Sequence, residues 1–137
     1  MNALLAAHFA ATWALVGLIW MVQLVHYPLF AQVGPDTFRA YHARHTRRIT
    51  FIVAPLMAAE LLTAVLLFFR GAREPWLLAS FAPLLFNWFA TWRVQIPLHN
   101  RLAAGFDSET HRRLVGTNWW RTLAWTVRGG CLLFGVS

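Results

Sequence analysis

Four long apolar stretches, Leu4 to Val25, Ile49 to Phe69, Trp76 to Pro97 and Gly116 to Val136, leave this chain few ways to fold. Each runs for about 20 residues, the helical length that crosses a bilayer core of about 30 Å. The chain has 137 residues, 58% of them hydrophobic and 12% charged, which is room for one domain and more apolar than a soluble domain of that size. The expected fold class is therefore all-α: an integral membrane bundle of four transmembrane helices spanning 1–137. The first stretch is expected to stay in the mature protein, because a cleaved signal carries basic residues ahead of a shorter apolar core and here the first basic residue is Arg39. The lone Cys131 lies inside the last stretch and excludes an intramolecular disulfide.

A net charge of +7 would suggest nucleic acid in a soluble protein, so its distribution decides the reading. All twelve basic residues are arginine. Seven flank two connections: Arg39, Arg44, Arg47 and Arg48 in the first, Arg101, Arg112 and Arg113 in the third. Only Arg70 and Arg73 lie in the second. The positive-inside rule places the first and third connections in the cytoplasm and both termini outside, in a multi-pass protein of the cell inner membrane. Lipid headgroups then account for the basic face, and no nucleic-acid partner is needed. A homo-oligomer is compatible with the sequence.

The first connection carries Gly34-Pro35-Asp36, a turn signal in which Asp36 could cap the next helix. From Thr37, Phe38, Tyr41, His42 and His45 recur at three- and four-residue spacing among the arginines, predicting a short amphipathic interfacial helix between spans one and two. The brief second connection, Arg70 to Pro75, predicts that spans two and three are antiparallel neighbours. In the third, Asp107 or Ser108 could cap the last helix. No internal repeat is expected.

Ordered by depth, the polar residues gather at the end of the bundle expected to be cytoplasmic. His26 closes span one, His42 and His45 precede span two, His99 closes span three, and Gln23, Gln95, Asn118 and Arg121 lie a turn or so further in. A polar chamber would unite them. His42 and His45 share one side of a helix, so with His26 or His99 they are candidate metal ligands, for which zinc, iron or copper fits; an ordinary interfacial segment has the same composition.

Glu60 lies eleven residues into span two, about 17 Å deep, where a lone carboxylate is costly. Arg128 falls about level with it in span four and is its expected partner, with Asn87 completing the layer. Asn118, Arg121, Trp125 and Arg128 form one stripe down span four, a face unfit for lipid and suited to an anionic or aromatic molecule, or to haem. Glu60, Arg121 and Arg128 are thus candidate catalytic groups, and Asn118, Trp125 and Gln95 candidate cofactor-binding groups. A purely structural ion pair is the alternative for Glu60 and Arg128.

The runs His26-Tyr27-Pro28-Leu29-Phe30, Pro97-Leu98-His99-Asn100-Arg101-Leu102, Gly105-Phe106-Asp107 and Asn118-Trp119-Trp120-Arg121-Thr122 through Trp125-Thr126-Val127-Arg128 resemble those of a group of small uncharacterised bacterial four-helix membrane proteins. That group is distantly similar to the anthrone-oxygenase-like domain family. His8, early in span one, gives a weaker similarity to small four-helix protoporphyrinogen oxidases and copper-resistance membrane proteins. The resemblance implies a membrane-embedded oxidoreductase or oxygenase-like protein acting on an aromatic or otherwise lipophilic small molecule. The competing readings are a non-enzymatic subunit that binds or transports haem, a metal or an anionic ligand, and a structural accessory protein. No phosphate loop or dinucleotide fingerprint is present, which sets aside kinase and nicotinamide chemistry.

Overall fold

A computed structural model describes residues 2–135. Val136, the last residue of the fourth apolar stretch, lies outside that range. Among the described residues the chain is helical, with no strand. Helix α1 (Ala3–Met21) runs on through a π-helical turn (Val22–His26), the short α2 (Tyr27–Leu29) and a 3-10 turn (Phe30–Gln32). Then come α3 (Pro35–Phe69), α4 (Pro75–Ala90) with a second π-helical turn (Thr91–Gln95) leading into α5 (Ile96–Leu102), and α6 (Ser108–Phe134).

Local chemistry accounts for most boundaries. The Asn2 side chain accepts from Leu5 N at the start of α1, and Asp107 accepts from Thr110 N at the start of α6. At α3 the cap position is Gly34, with Pro35 next and Asp36 inside the first turn, so Asp36 favours the helix dipole rather than capping the helix. The interfacial helix expected between the first two spans is not a separate element. It is the first part of α3, a single helix of 35 residues, because nothing between Thr37 and Ala54 breaks a helix. Its amphipathic pattern still operates: Phe38 and His42 are buried, while Arg39, Arg44, Arg47 and Arg48 are exposed.

The two π-helical turns share one cause. Pro28 and Pro97 lack an amide hydrogen, and their rings crowd the carbonyls four residues back, at Leu24 and Arg93. Those residues lie inside the widened turns Val22–His26 and Thr91–Gln95. In each turn the glutamine, Gln23 or Gln95, points inward and is buried. Val22-Gln23 and Pro28-Leu29 thus answer to Val94-Gln95 and Pro97-Leu98, and Gly34 and Asp36 to Gly105 and Asp107. Each hairpin thus carries a π-helical turn, a proline just after it, and a glycine and an aspartate at the following connection, without a regular sequence repeat.

Side by side, α3 packs on α1, α1 on α6 and α6 on α4. Gly129 of α6 lets α1 approach closely, since a Cβ there would stand 3.2 Å from the side chains of Trp13 and Val16. Three apolar clusters succeed one another along the bundle, around Leu67, Leu77 and Leu132, then Leu15, Ile19, Met57 and Trp125, then Phe30, Phe38, Leu102 and Leu114. The expectation that spans two and three are neighbours holds near their connection, where Phe68 and Phe81 meet at 6.2 Å between ring centroids. Further along, α3 and α4 separate. Among the described residues, Ala3–Gln32 and Pro35–Phe69 are long and apolar enough to cross a membrane by length and composition. The third and fourth rods do not reach the same mark; α6 carries Arg121 and Arg128 within its apolar stretch.

Candidate functional site

At mid-bundle the expected Glu60–Arg128 pair is present. Arg128 Nε donates to Glu60 Oε1 at 2.7 Å, and both side chains are fully buried. The remaining donors are also used. One guanidinium nitrogen reaches the Ser80 carbonyl at 2.5 Å and its hydroxyl at 3.0 Å; the other donates to His8 Nε2 at 3.0 Å. With Nε2 accepting, His8 Nδ1 carries the proton and donates to the Thr63 hydroxyl at 2.7 Å. Trp125 Nε1 approaches the second Glu60 oxygen at 3.3 Å. One guanidinium therefore ties α1, α3, α4 and α6 together. Asn87, expected in this layer, is buried, and its amide atoms have no hydrogen-bond partner among the described residues.

A second polar group forms a seam between the first π-helical turn and α6. Asn118 donates to Gln23 Oε1 at 2.8 Å and accepts from Arg121 at 2.9 Å. Thr122 adds a longer contact to Gln23 at 3.4 Å. Asn118 is used up here and does not reach a cavity, so its expected ligand-binding role is not supported by its position.

The cavity lies where α3 and α4 separate. It has a volume of about 340 Å³ and is walled by Leu15, Ile19, Val22, Val53 and Met57, with the rings of Trp88 and Trp125. Its polar lining is Tyr27, His45, Gln95, His99 and Arg121. Thr50, Ala54, Trp92 and Ile96 at its rim are exposed, so it opens sideways between the two helices. Arg121 is 5% exposed and lies with its guanidinium carbon 5.1 Å from the Trp125 ring centroid. Its Nε has no partner, and no carboxylate pairs with it among the described residues. Gln95 Oε1, Trp88 Nε1 and His45 Nε2 are likewise buried without partners. The single polar chamber expected from sequence is thus three sites: the mid-bundle network, the Gln23–Asn118 seam and this cavity. Glu60 and Arg128 belong to the first and do not line the cavity.

The histidines gather, but not around an open point. His42 and His99 rings lie 5.2 Å apart and those of His26 and His45 5.4 Å apart. At their centre stands the fully buried ring of Phe30, 4.9 Å from His45, 5.6 Å from His42 and 6.5 Å from both His99 and His111. His42 Nε2 is hydrogen-bonded to His99 Nδ1 at 3.0 Å, and His99 Nε2 to the Tyr27 hydroxyl at 2.8 Å. Among the described residues no group of three or more His, Cys, Asp or Glu is arranged to hold a metal ion. The structure lends no support to the expected metal site at His26, His42, His45 and His99: the Phe30 ring stands among these imidazoles, and both nitrogens of His99 are engaged.

Burial, reinforced by the neighbouring imidazoles, pushes His45 down from 6.5 to about 4 and His99 from 6.5 to about 3; burial lowers His42 as well. All three lie outside the apolar stretches. At pH 7 the native and unfolded chains both hold these rings neutral. As pH falls through 6.5 the unfolded chain takes up protons that the native chain refuses, so stability drops until about pH 4. The melting temperature in detergent should fall from pH 7 to pH 5, and less steeply for His99→Gln. A flat profile would contradict the burial of these rings.

Tyr27, Thr63, Ser80 and Thr122 are polar members of these sites that were not expected from the sequence. Of these, Tyr27 and Thr122 had a signal, since they lie in the runs His26 to Phe30 and Asn118 to Thr122 that carry the resemblance. No family model, no curated protein and no solved structure matches this chain.

Proposed function

We propose that this is a four-span membrane protein that binds a lipophilic small molecule with an anionic or hydrogen-bond-accepting head in the cavity between α3 and α4. Bulky apolar residues cover its outer face, among them Phe51, Leu62, Phe69, Leu85, Phe89, Trp92 and Leu123, a surface that water does not favour. The arginine-rich end, with the cavity in its half of the bundle, lies on the cytoplasmic side in this reading.

The observation that carries the reading is Arg121. A buried guanidinium without a counter-charge is costly, and a vacant Nε beside an apolar cavity fits an acceptor brought by a ligand. The indole of Trp125 and the aliphatic walls suit an aromatic or alkyl body. Oxidation of that molecule, which the sequence resemblance implies, is a further step on the same ligand and would be read as product formed on aerating the loaded protein.

A matched pair of probes tests the binding. In detergent or nanodiscs, 4-butylbenzoate should quench tryptophan fluorescence at lower concentration than 4-butylbenzyl alcohol, by about 10- to 100-fold, the worth of a charge-assisted hydrogen bond of about 1.5–3 kcal/mol. Arg121→Gln should remove the preference and leave alcohol binding in place. Equal affinities in the native protein would defeat the proposed role of Arg121, and no binding of either probe would defeat the cavity reading.

A further inference from the structure

The cavity wall contains more than a binding surface. Tyr27, His99 and His42 are joined end to end by the hydrogen bonds of 2.8 and 3.0 Å, and Tyr27 and His99 line the cavity while His42 stands behind them. His42 is 1% exposed, and its Nδ1 has no partner. Such a chain has two proton arrangements. In one, His42 Nε2–H donates to His99 Nδ1, His99 Nε2–H donates to the Tyr27 oxygen, and the Tyr27 hydroxyl is free to donate into the cavity. In the other each donation is reversed: Tyr27 donates to His99 Nε2, His99 Nδ1–H to His42 Nε2, and His42 carries its proton on Nδ1.

We propose that His42, His99 and Tyr27 form a proton relay that delivers a proton to the molecule in the cavity and, run backwards, removes one. This rests on the cavity's being a ligand site. The step balances. A proton from hydronium, which leaves as water, joins His42 Nδ1, the Nε2 proton of His42 passes to His99 Nδ1, that of His99 Nε2 passes to the Tyr27 oxygen, and the original hydroxyl proton of Tyr27 moves to the ligand. Every group in the chain ends neutral, and only the arrangement of its hydrogen bonds has changed. Neutral rings are what the chain needs, because an imidazolium at His99 would have no lone pair with which to accept. The charged and titratable groups around it are His45 and His26 on the α3 and α1 sides, His111 from α6, whose Nε2 donates to the Tyr27 carbonyl, and Arg121 on the cavity wall. A carboxylate is absent from this set, so among the described residues no fixed base competes for the proton in transit.

A bound phenol that reports its own protonation tests the relay. A 4-nitrophenol bearing a butyl chain absorbs differently as phenol and phenolate, so its protonation after a pH jump can be followed by stopped flow on the loaded protein. The native protein should protonate the bound dye on the order of 10²-fold faster than Tyr27→Phe or His99→Gln, the usual contribution of a positioned proton donor. His99→Gln discriminates most sharply. Glutamine keeps a donor and an acceptor and can hold both neighbours, but it cannot exchange its proton between two nitrogens. If both variants bind the dye as the native protein does and protonate it equally fast, the relay is wrong and the cavity stands. If the dye does not bind native protein, the cavity reading falls and the relay with it. Melting curves of the two variants separate loss of transfer from loss of fold.

Discussion

Replacing Glu60 by Gln, or Arg128 by Met, should each lower stability by about 3–5 kcal/mol, while the two changes together should cost less than either alone. Both groups are 0% exposed at mid-bundle, so each single change strands a charge or a set of donors where nothing else can satisfy it. Glu60→Gln keeps the shape but leaves the guanidinium without a counter-charge. Arg128→Met also frees the Ser80 carbonyl and His8 Nε2, and for this reason the double variant should recover most, though not all, of the loss. Thermal or chemical unfolding in detergent of the native protein, both singles and the double reads the coupling directly. Harmless, additive single changes would show that the pair contributes nothing. Probe binding in the cavity is expected to survive in the double variant, because neither residue lines it.

A periplasmic reporter fused after Ser137 should be active and a cytoplasmic one silent, with the opposite result for fusions in the first and third connections. The expectation rests on seven arginines around those two connections against two in the second. The fold adds to it: Arg39, Arg44, Arg47, Arg48, Arg101, Arg112 and Arg113 are all exposed at one end of the bundle, where anionic headgroups can meet them. An active cytoplasmic reporter at the C-terminus would invert the bilayer around the protein and place the cavity in the outer half.

Much of the frame was legible because helix length and depth depend on position along the chain alone. Counting 1.5 Å per residue puts Glu60 and Arg128 at one level, and they meet there. The stripe Asn118, Arg121, Trp125 and Arg128 is buried along its whole length, as its spacing required. Which of these residues faces a cavity was not legible, since that depends on the order in which helices pack. With α1 and α6 at the centre of the row, α3 and α4 touch near their connection and part beyond it, and the cavity is what they leave. The π-helical turns were also hidden, because each shifts the inward face by one residue just ahead of a proline. Histidine spacing does bring the imidazoles together, but it says nothing of a metal: Phe30, an apolar residue with no chemistry of its own, holds the middle of the cluster.

The sideways mouth between Thr50, Ala54, Trp92 and Ile96 changes what concentration means for this protein. In the membrane-embedded reading proposed above, a ligand reaching such a mouth arrives from the acyl chains, so occupancy would track its mole fraction in the lipid rather than its molarity in buffer. Adding empty vesicles at constant total ligand would then strip the cavity by dilution within the bilayer phase. Two homologous compounds of equal intrinsic fit would rank by how strongly each partitions from water.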